Sequence, residues 1–266
     1  MSVSSSPILR LRESLVREGF WRTIRNVGNW LYRLVFPVRI PTHHFDLQHG
    51  VDTSGLFHPL KLSSGHANDA HITAYYGSAP SSFRAAITLW QQTLAGTPHS
   101  IAAYTFIDIG SGKGRAVMMA SEFSFRQVLG VELNPRLTEI ARENLAKWAA
   151  FPHACTDLTV LQADALSFPL PDSPAVLYLF HPFDEHVLRL LLNRLVALSH
   201  TRNAPLDIIC IAPYPPELFN AVPGMTLSWD GDIPLAPEDA AVDAFNCTAQ
   251  YTRIYRLPGA AKPVRG

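Results

Sequence analysis

The stretch Phe106-Ile-Asp-Ile-Gly-Ser-Gly-Lys-Gly-Arg115 joins an apolar strand to three glycines at alternate positions. Residues 113–123 then have the apolar spacing of a helix. In a doubly wound parallel sheet, such a strand-to-helix turn lies at the carboxyl edge, where ligands bind. Gly110, Gly112 and Gly114 would let the backbone approach a ligand without an intervening side chain. The stretch therefore predicts a binding loop for a nucleotide-like molecule.

Short apolar runs alternate with amphipathic stretches on both sides of this loop. Residues 175–180 and 208–211 are apolar without alternation, which is typical of parallel strands covered by helices on both faces. Residues 248–257 do alternate, and we expect them to pair antiparallel. The pattern predicts an α/β fold with a doubly wound, mostly parallel, seven-stranded Rossmann-like sheet and an antiparallel last strand. The predicted strands are 104–109, 127–132, 158–162, 175–180, 206–211, 225–229 and 248–257, and the predicted helices are 81–96, 113–123, 135–148 and 184–198.

Two carboxylates end the next two predicted strands. Glu132 lies 22 residues after Gly110, where an acid can accept hydrogen bonds from both hydroxyls of a ribose. It is equally suited to the start of the following helix, which Asn134 and Pro135 would cap and begin. Asp164 ends the third strand, where its carboxylate can accept from an exocyclic amine. The three strand ends together point to one adenosine-containing ligand.

The glycine spacing helps to choose between two adenosine cofactors. Arg115 stands where the dinucleotide fingerprint has its third glycine, and its bulk disfavours close approach of a pyrophosphate. Asp108, at the strand end, would repel a diphosphate but attract the amino group of a methionine moiety. Together with Asp108–Gly114, the segments 130–135 and 162–165 resemble class I S-adenosylmethionine-dependent methyltransferases, and the likeness covers about residues 104–213.

This resemblance implies S-adenosylmethionine as the cofactor and assigns the residues that bind it. Asp108 and the three loop glycines would surround the methionine part. Glu132 would bind the ribose, and Asp164 the adenine. The expected cofactor-binding residues are Asp108, Gly110, Ser111, Gly112, Gly114, Glu132, Asp164 and Ala165.

The resemblance also implies that the methyl acceptor lies after the fourth strand, in residues 178–184. Many relatives carry Asn or Asp followed by two prolines and an aromatic there, whereas this chain has His181-Pro-Phe183. The departure disfavours amino groups of nucleobases or glutamine as acceptors. His181 is suited to be a general base, with a structural role at the helix entry equally open. Tyr75 lies in a stretch, 71–80, that loosely resembles the cofactor-covering loop of non-SET histone lysine methyltransferases.

We therefore expect Tyr75, His181 and Phe183 at the methyl-transfer face. The expected acceptor is an unidentified protein side chain or small molecule with an N or O nucleophile. Residues 45–55 are similar to a segment of uncharacterised bacterial methyltransferases. Two alternatives stay open at this stage: an NAD-dependent oxidoreductase, and a non-catalytic scaffold of this fold that docks on a membrane or protein.

The N-terminal region has a different character. Residues 8–40 have helical apolar spacing and carry seven arginines against two glutamates. Such a basic amphipathic helix can pack on its own domain or contact an anionic membrane or a partner protein. We expect residues 1–78 to form this helical arm and a loop, and residues 79–266 the methyltransferase domain.

Composition limits the remaining possibilities. The chain has 266 residues, 47% of them hydrophobic, and its 22 Lys and Arg balance its 22 Asp and Glu. Without a basic excess, nucleic acid is an unfavoured partner. Three distant cysteines and no apolar run of membrane length predict a cytoplasmic protein. Six histidines fall within residues 43–71, but without the i, i+4 helical spacing of catalytic zinc sites, and no metal is predicted.

Overall fold

The computed structural model describes residues 41–211 and 214–260. The predicted basic arm, residues 8–40, lies outside the described residues. The expected domain boundary at residue 78 therefore stays a prediction.

Residues 41–79 contain several short elements where the sequence predicts a loop. Helix α1 spans His44–His49, and strands β1 (Leu56–Phe57) and β2 (Tyr75–Tyr76) pair antiparallel. Between the two strands lie 3-10 turns at Pro59–Lys61 and Ala67–His71. Elements of two to six residues are too short to produce a recognisable period in the sequence.

The central sheet confirms the predicted architecture. Its strands are β3 (Thr105–Ile109), β4 (Gln127–Glu132), β5 (Leu158–Gln162), β6 (Ala175–Leu179), β7 (Leu206–Ile211), β8 (Thr226–Pro234) and β9 (Ala249–Leu257). They lie in the order β5-β4-β3-β6-β7-β9-β8, with the first five parallel and β9 antiparallel to both of its neighbours.

Four of the helices correspond to predicted ones: α2 (Pro80–Gln92), α3 (Arg115–Ala120), α4 (Pro135–Trp148) and α5 (Glu185–Ser199). Helix α3 begins two residues later than predicted because the glycine loop continues to Gly114, whose φ of 84° is left-handed, and it ends at Ala120 instead of residue 123. A further 3-10 turn lies at Ile101–Ala103.

Two short helices are missing from the prediction. Helix α6 spans Glu217–Asn220 and α7 spans Pro237–Ala241, although no helix is expected between residues 229 and 248. The α7 residue Asp239 accepts a hydrogen bond from the backbone N–H of Ser81, 2.7 Å away. This long-range contact stabilises a turn of helix that local propensity does not signal.

The core has two parts, one on each face of the sheet. On one face Phe106 packs against Phe83 of α2 and Tyr178 of β6. On the other, Ile107 belongs to a cluster with the leucines of α5. Each fully buried side chain of this size contributes about 1.5–3 kcal/mol to folding. Strand β3, buried along its whole length, is therefore held in place by packing from both sides.

Within the described residues, no helix is both long enough and apolar enough to cross a lipid bilayer.

Candidate active site

The carboxyl ends of β3, β4, β5 and β6 meet at one edge of the sheet and form a cleft. Its space, including the part open to solvent, is about 1000 Å³. Ten of the eleven predicted site residues line this cleft: Tyr75, Asp108, Gly110, Ser111, Gly112, Glu132, Asp164, Ala165, His181 and Phe183. The parallel register explains their meeting, because it brings the ends of neighbouring strands to the same level.

The glycine loop needs its glycines for three different contacts. A Cβ on Gly110 would lie 2.5 Å from the Cβ of Pro182, and a Cβ on Gly112 would lie 2.3 Å from the Tyr75 ring. Both glycines also have left-handed φ values, 73° and 53°. Gly114 does not line the cleft. A Cβ there would lie 3.2 Å from Ala141, so Gly114 allows α3 to pack against α4.

Asp108 is a buried acid that faces the cleft without a partner. Only 4% of the residue is exposed, and within the described residues no donor makes a hydrogen bond to its carboxylate. Burial, reinforced by the nearby charge of Glu132, raises the pKa of Asp108 to about 8. A buried carboxyl group without a donor is costly unless a cation compensates it. Asp108 is therefore suited to bind a positively charged ligand group.

Glu132 supports the loop from the neighbouring strand. Its Oε2 accepts from the N–H of Gly112 at 2.7 Å, and its Oε1 accepts from the N–H of Asn134 at 2.8 Å. Burial raises the pKa of Glu132, while these backbone donors act in the opposite direction. Each carboxylate oxygen can accept more than one hydrogen bond, so Glu132 can also accept from ribose hydroxyls. The structural and ligand-binding interpretations of Glu132 are thus compatible.

Asp164 is oriented by a residue that the sequence analysis missed. Its Oδ1 accepts from the N–H of Leu166 at 2.9 Å, and its Oδ2 accepts from the Asn68 side-chain amide at 3.1 Å. Asn68 also lines the cleft. A contact across 96 positions leaves no local pattern, so only the fold reveals Asn68 as part of the site.

Residues 66–76, which we name the cover segment, connect the two rims of the cleft. Asn68 binds the β5 rim through Asp164. At the β6 rim, His71 Nδ1 lies 2.8 Å from Asp184 Oδ2, and the backbone N–H of Asp184 donates to the carbonyl of His71. The segment ends with the Tyr75 ring against Gly112. This geometry agrees with the covering role expected from the resemblance at residues 71–80.

The cover segment also holds the turn that follows β6. The Thr73 hydroxyl donates to the carbonyl of His181, and the Thr73 N–H donates to the carbonyl of Pro182 at 3.3 Å. His181 has a φ of 48°, a strained left-handed value for a residue with a side chain. Burial lowers the pKa of His181, and its ring lies 5.0 Å from the Tyr214 ring. The histidine is therefore held neutral and in one backbone conformation at the cleft.

The two cations of the glycine loop are used elsewhere. Lys113 Nζ lies 2.7 Å from Asp52 Oδ1, and Arg115 Nε donates to Thr53 Oγ1 at 2.6 Å. Arg115 also lies 3.6 Å from Asp46, so the pair fastens residues 46–54 to α3. Neither side chain is free to bind a diphosphate, which further disfavours a dinucleotide cofactor.

Among the described residues, His43, His44 and Asp239 form a cluster with metal-ligand atoms. His43 Nε2 lies 3.2 Å from Asp239 Oδ1. However, His43 Nδ1 accepts a hydrogen bond from the N–H of Phe45, so the ring proton of neutral His43 is on Nε2. A protonated nitrogen is not a metal ligand. The geometry favours an interaction of His43 with Asp239 over a metal site.

Comparison with known proteins agrees with this geometry. Residues 107–193 match a family model described as a methyltransferase domain, and they contain every predicted site residue except Tyr75. Residues 107–193 are therefore a methyltransferase domain. It is an enzyme, and S-adenosylmethionine is its cofactor. No curated protein matches the sequence.

Two solved structures have similar folds. The magnesium protoporphyrin IX methyltransferase from Synechocystis PCC 6803 with bound SAM is 12% identical, with a TM-score of 0.43 over 65% of this chain and 77% of that one. The ribosomal protein L11 methylase from Lactobacillus delbrueckii subsp. bulgaricus is 13% identical, with a TM-score of 0.42 over 64% and 78%. Neither similarity is high enough to transfer a substrate to this methyltransferase domain.

The residues of the methyltransferase domain fit this cofactor. The sulfonium and ammonium groups of S-adenosylmethionine are positive, and Asp108 is a buried acid that forms no ion pair with any of the residues that the structure describes. Glu132 and Asp164 present carboxylate oxygens at the next two strand ends. The acids of the cleft can thus supply the negative charge that a positively charged cofactor requires.

Proposed function

We propose that this protein transfers the methyl group of S-adenosylmethionine, by in-line displacement, to an N or O nucleophile of an acceptor at His181–Phe183. The observation that supports it most is the position of Asp108. This unpaired buried acid lies at the glycine loop, and the acceptor-side Pro182 packs directly on that loop at Gly110. In this proposal the cation site at Asp108 therefore lies next to the acceptor site at His181–Phe183.

In this proposal each strand end binds one part of the cofactor. Asp108, Gly110, Ser111 and Gly112 surround the methionine part, and Glu132 binds the ribose. Asp164, oriented by Asn68, and the neighbouring Ala165 bind the adenine. Gly114 acts indirectly, because its packing against α4 places the start of α3.

The cofactor supplies an electrophilic methyl group on positively charged sulfur. The task of the protein is then to hold the acceptor in line with that group, since positioning accounts for most of the acceleration in such a displacement. Tyr75 and Phe183 both line the cleft, and the faces of aromatic rings attract cations. The cover segment limits access of water to the same space.

His181 is the proposed general base. Because burial lowers its pKa, the ring is neutral at physiological pH and can accept the proton that the acceptor loses. Within the described residues its ring nitrogens make no hydrogen bond to protein, so one of them is free to accept the acceptor N–H or O–H.

The charge of the cleft supports a small molecule or a protein side chain as acceptor rather than nucleic acid. Four acids, Asp69, Asp108, Glu132 and Asp164, line the cleft. The lining cation Arg115 is bonded to Thr53 and close to Asp46. The carboxylates of Glu132 and Asp164 would repel a phosphate backbone there.

Calorimetry with S-adenosylhomocysteine, S-adenosylmethionine and NADH tests the proposal. The wild-type protein should bind the first two and not NADH, and Asp108→Asn should weaken S-adenosylmethionine binding at least tenfold. Asp230→Asn, an exposed-strand acid outside the cleft, is the matched control. Binding of NADH alone would support the oxidoreductase alternative and contradict the proposal.

A second experiment addresses the docking-scaffold alternative. For residues 8–40 we propose contact with an anionic membrane or a partner protein, because their seven arginines exceed their two glutamates. Pelleting with phosphatidylserine vesicles, with and without residues 1–40, measures that contact. A scaffold without catalysis predicts vesicle binding that depends on the arm, together with no release of S-adenosylhomocysteine under any acceptor mixture.

A further inference from the structure

The acceptor end of the cleft has an aromatic wall, which consists of Tyr76, Phe180 and Phe245. The Tyr76 ring lies 5.5 Å from the Phe245 ring, nearly perpendicular to it, and 6.5 Å from the Phe180 ring. Tyr76 and Phe180 line the cleft, and Phe245 is 50% exposed beside them. An exposed aromatic side chain in contact with cleft-lining rings is suited to contact a ligand.

The wall is fixed in place from behind. The Tyr76 hydroxyl donates to Asp243 Oδ1 at 3.2 Å and accepts from the N–H of Ala244 at 3.1 Å. Asp243 Oδ2 also accepts from the N–H groups of Phe245 and Cys247. The hydroxyl of Tyr76 is therefore occupied, and Tyr76 presents its ring rather than a polar group to the cleft.

The other polar side chains near this wall are also occupied. The Thr73 hydroxyl donates to the carbonyl of His181, and the Tyr178 hydroxyl donates to Ser78 Oγ at 3.0 Å. His181 differs from them, because its ring nitrogens make no hydrogen bond to any of the residues that the structure describes. An acceptor with several polar or charged groups would leave most of them unpaired.

The charged residues of the lining belong to other parts of the cleft. Asp108 and Glu132 lie at the glycine loop, and Asp164 at the end of β5. Asp69 accepts hydrogen bonds from Ser63, Ser64 and Gly65. The acceptor end thus combines the faces and edges of aromatic rings with one neutral base.

We propose, on the basis of the function proposed above, that the acceptor is an uncharged planar aromatic compound with a single nucleophilic hydroxyl or ring N–H. Its ring lies against Tyr76, Phe180 and Phe245, and its nucleophile points to His181. For a hydroxyl, the O–CH₃ bond forms while the S–CH₃ bond breaks and the sulfur keeps the bonding electron pair. The hydroxyl proton passes to the His181 ring and from there to water.

Three probes of different charge test this assignment on the full chain with S-adenosylhomocysteine present. They are 1-naphthol, which is neutral, 1-naphthoate, which is an anion, and Nα-acetyl-lysine methylamide, which is a cation. Calorimetry should detect binding of 1-naphthol alone. Mass spectrometry with S-adenosylmethionine in place of its product should then detect 1-methoxynaphthalene.

Two variants connect binding to the wall. Phe245→Ala should weaken 1-naphthol binding about three- to tenfold, the range expected for one aromatic contact. Tyr251→Ala removes an aromatic residue of similar exposure, 40%, whose ring contacts Arg253 and, within the described residues, no ring that lines the cleft, and it should leave binding unchanged. Both side chains are partly exposed, and thermal unfolding of each variant verifies that it is folded.

Failure of this inference is distinguishable from failure of the proposed function. If S-adenosylhomocysteine binds but the lysine amide or 1-naphthoate is the preferred probe, the acceptor assignment is overturned and the methyltransferase proposal stands. Equal 1-naphthol binding by Phe245→Ala and Tyr251→Ala also overturns it. If S-adenosylhomocysteine does not bind to the wild-type protein, both proposals are refuted.

Discussion

Pro182 packs directly on Gly110, so that a Cβ added at position 110 would lie 2.5 Å from the Pro182 Cβ. The two residues follow the adjacent parallel strands β3 and β6, and their contact joins the proposed cofactor loop to the proposed acceptor turn. At that distance any side chain at position 110 must displace the turn that contains Pro182. Gly110 also has a left-handed φ of 73°, which disfavours a residue with a side chain.

Gly110→Ala should therefore reduce both stability and cofactor binding. The left-handed backbone costs about 1–2 kcal/mol for a residue with a Cβ, and the collision with Pro182 adds to it. Gly96→Ala is the control, because Gly96 has a φ of 80° with no atom near its Cβ position. We expect a lower Tm for Gly110→Ala than for Gly96→Ala and at least tenfold weaker S-adenosylmethionine binding by calorimetry. Equal effects of the two variants would contradict the packing argument.

Asp108 should make cofactor binding depend on pH. Its pKa of about 8 means that the free protein holds the carboxyl group protonated at neutral pH. A bound cation favours the carboxylate, so binding releases a proton, and affinity should rise by up to about tenfold per pH unit towards pH 8. Calorimetry at pH 6.0–7.5 in buffers of different ionisation enthalpy measures the proton. No proton release at pH 6.5 would exclude this role of Asp108.

The same pKa predicts a stability effect of opposite sign to the binding effect. Because the folded-state pKa of Asp108 lies above the unfolded value, the free protein loses stability as pH rises from about 4 to 8. Asp108→Asn removes that loss and should stabilise the free protein at pH 8 by about 1–2 kcal/mol, or roughly 3–6 °C in Tm. A lower Tm at pH 8 for the variant than for wild type would show that the carboxylate is compensated in the free protein.

Loss of the Thr73 hydroxyl should loosen the β6 rim. Thr73→Val removes the hydrogen bond to the His181 carbonyl, worth about 0.5–1.5 kcal/mol. We expect faster amide exchange in residues 66–76 and a severalfold lower kcat, with unchanged S-adenosylmethionine affinity. Thr88→Val removes a comparable bond from the exposed Thr88 of α2 to the Arg84 carbonyl and is the control. Identical exchange in both variants would argue against a fastening role for Thr73.

His181→Gln tests the general base. Proton acceptance by a positioned side chain contributes typically 10²–10⁴-fold, so kcat should fall by about that factor while cofactor affinity persists. Because burial lowers the His181 pKa below 6.5, the wild-type rate should be flat above pH 6.5 and decrease only below it. The exposed His200→Gln variant is expected to behave as wild type. A rate that stays high in His181→Gln would leave only a structural role for this residue.

Local sequence determined the sheet and the strand ends. Each signal lies within one element: the apolar runs 105–109, 127–132 and 175–179, and the glycines after β3. The runs predicted a parallel sheet, and their ends placed Asp108, Glu132 and Asp164 along one edge. Such signals depend on residues a few positions apart. That is why the predicted parallel sheet with an antiparallel last strand agrees with the structure, and why all but one of the predicted site residues line the cleft.

Only the tertiary structure decided what surrounds that edge. The cover segment, predicted as loop, meets the cleft through Asn68 with Asp164 and Thr73 with His181, pairs separated by 96 and 108 positions. The position of Phe245 against Tyr76 and the absence of Gly114 from the lining were likewise outside the reach of the sequence. Contacts of this kind depend on how distant segments pack, and no local period or propensity encodes them.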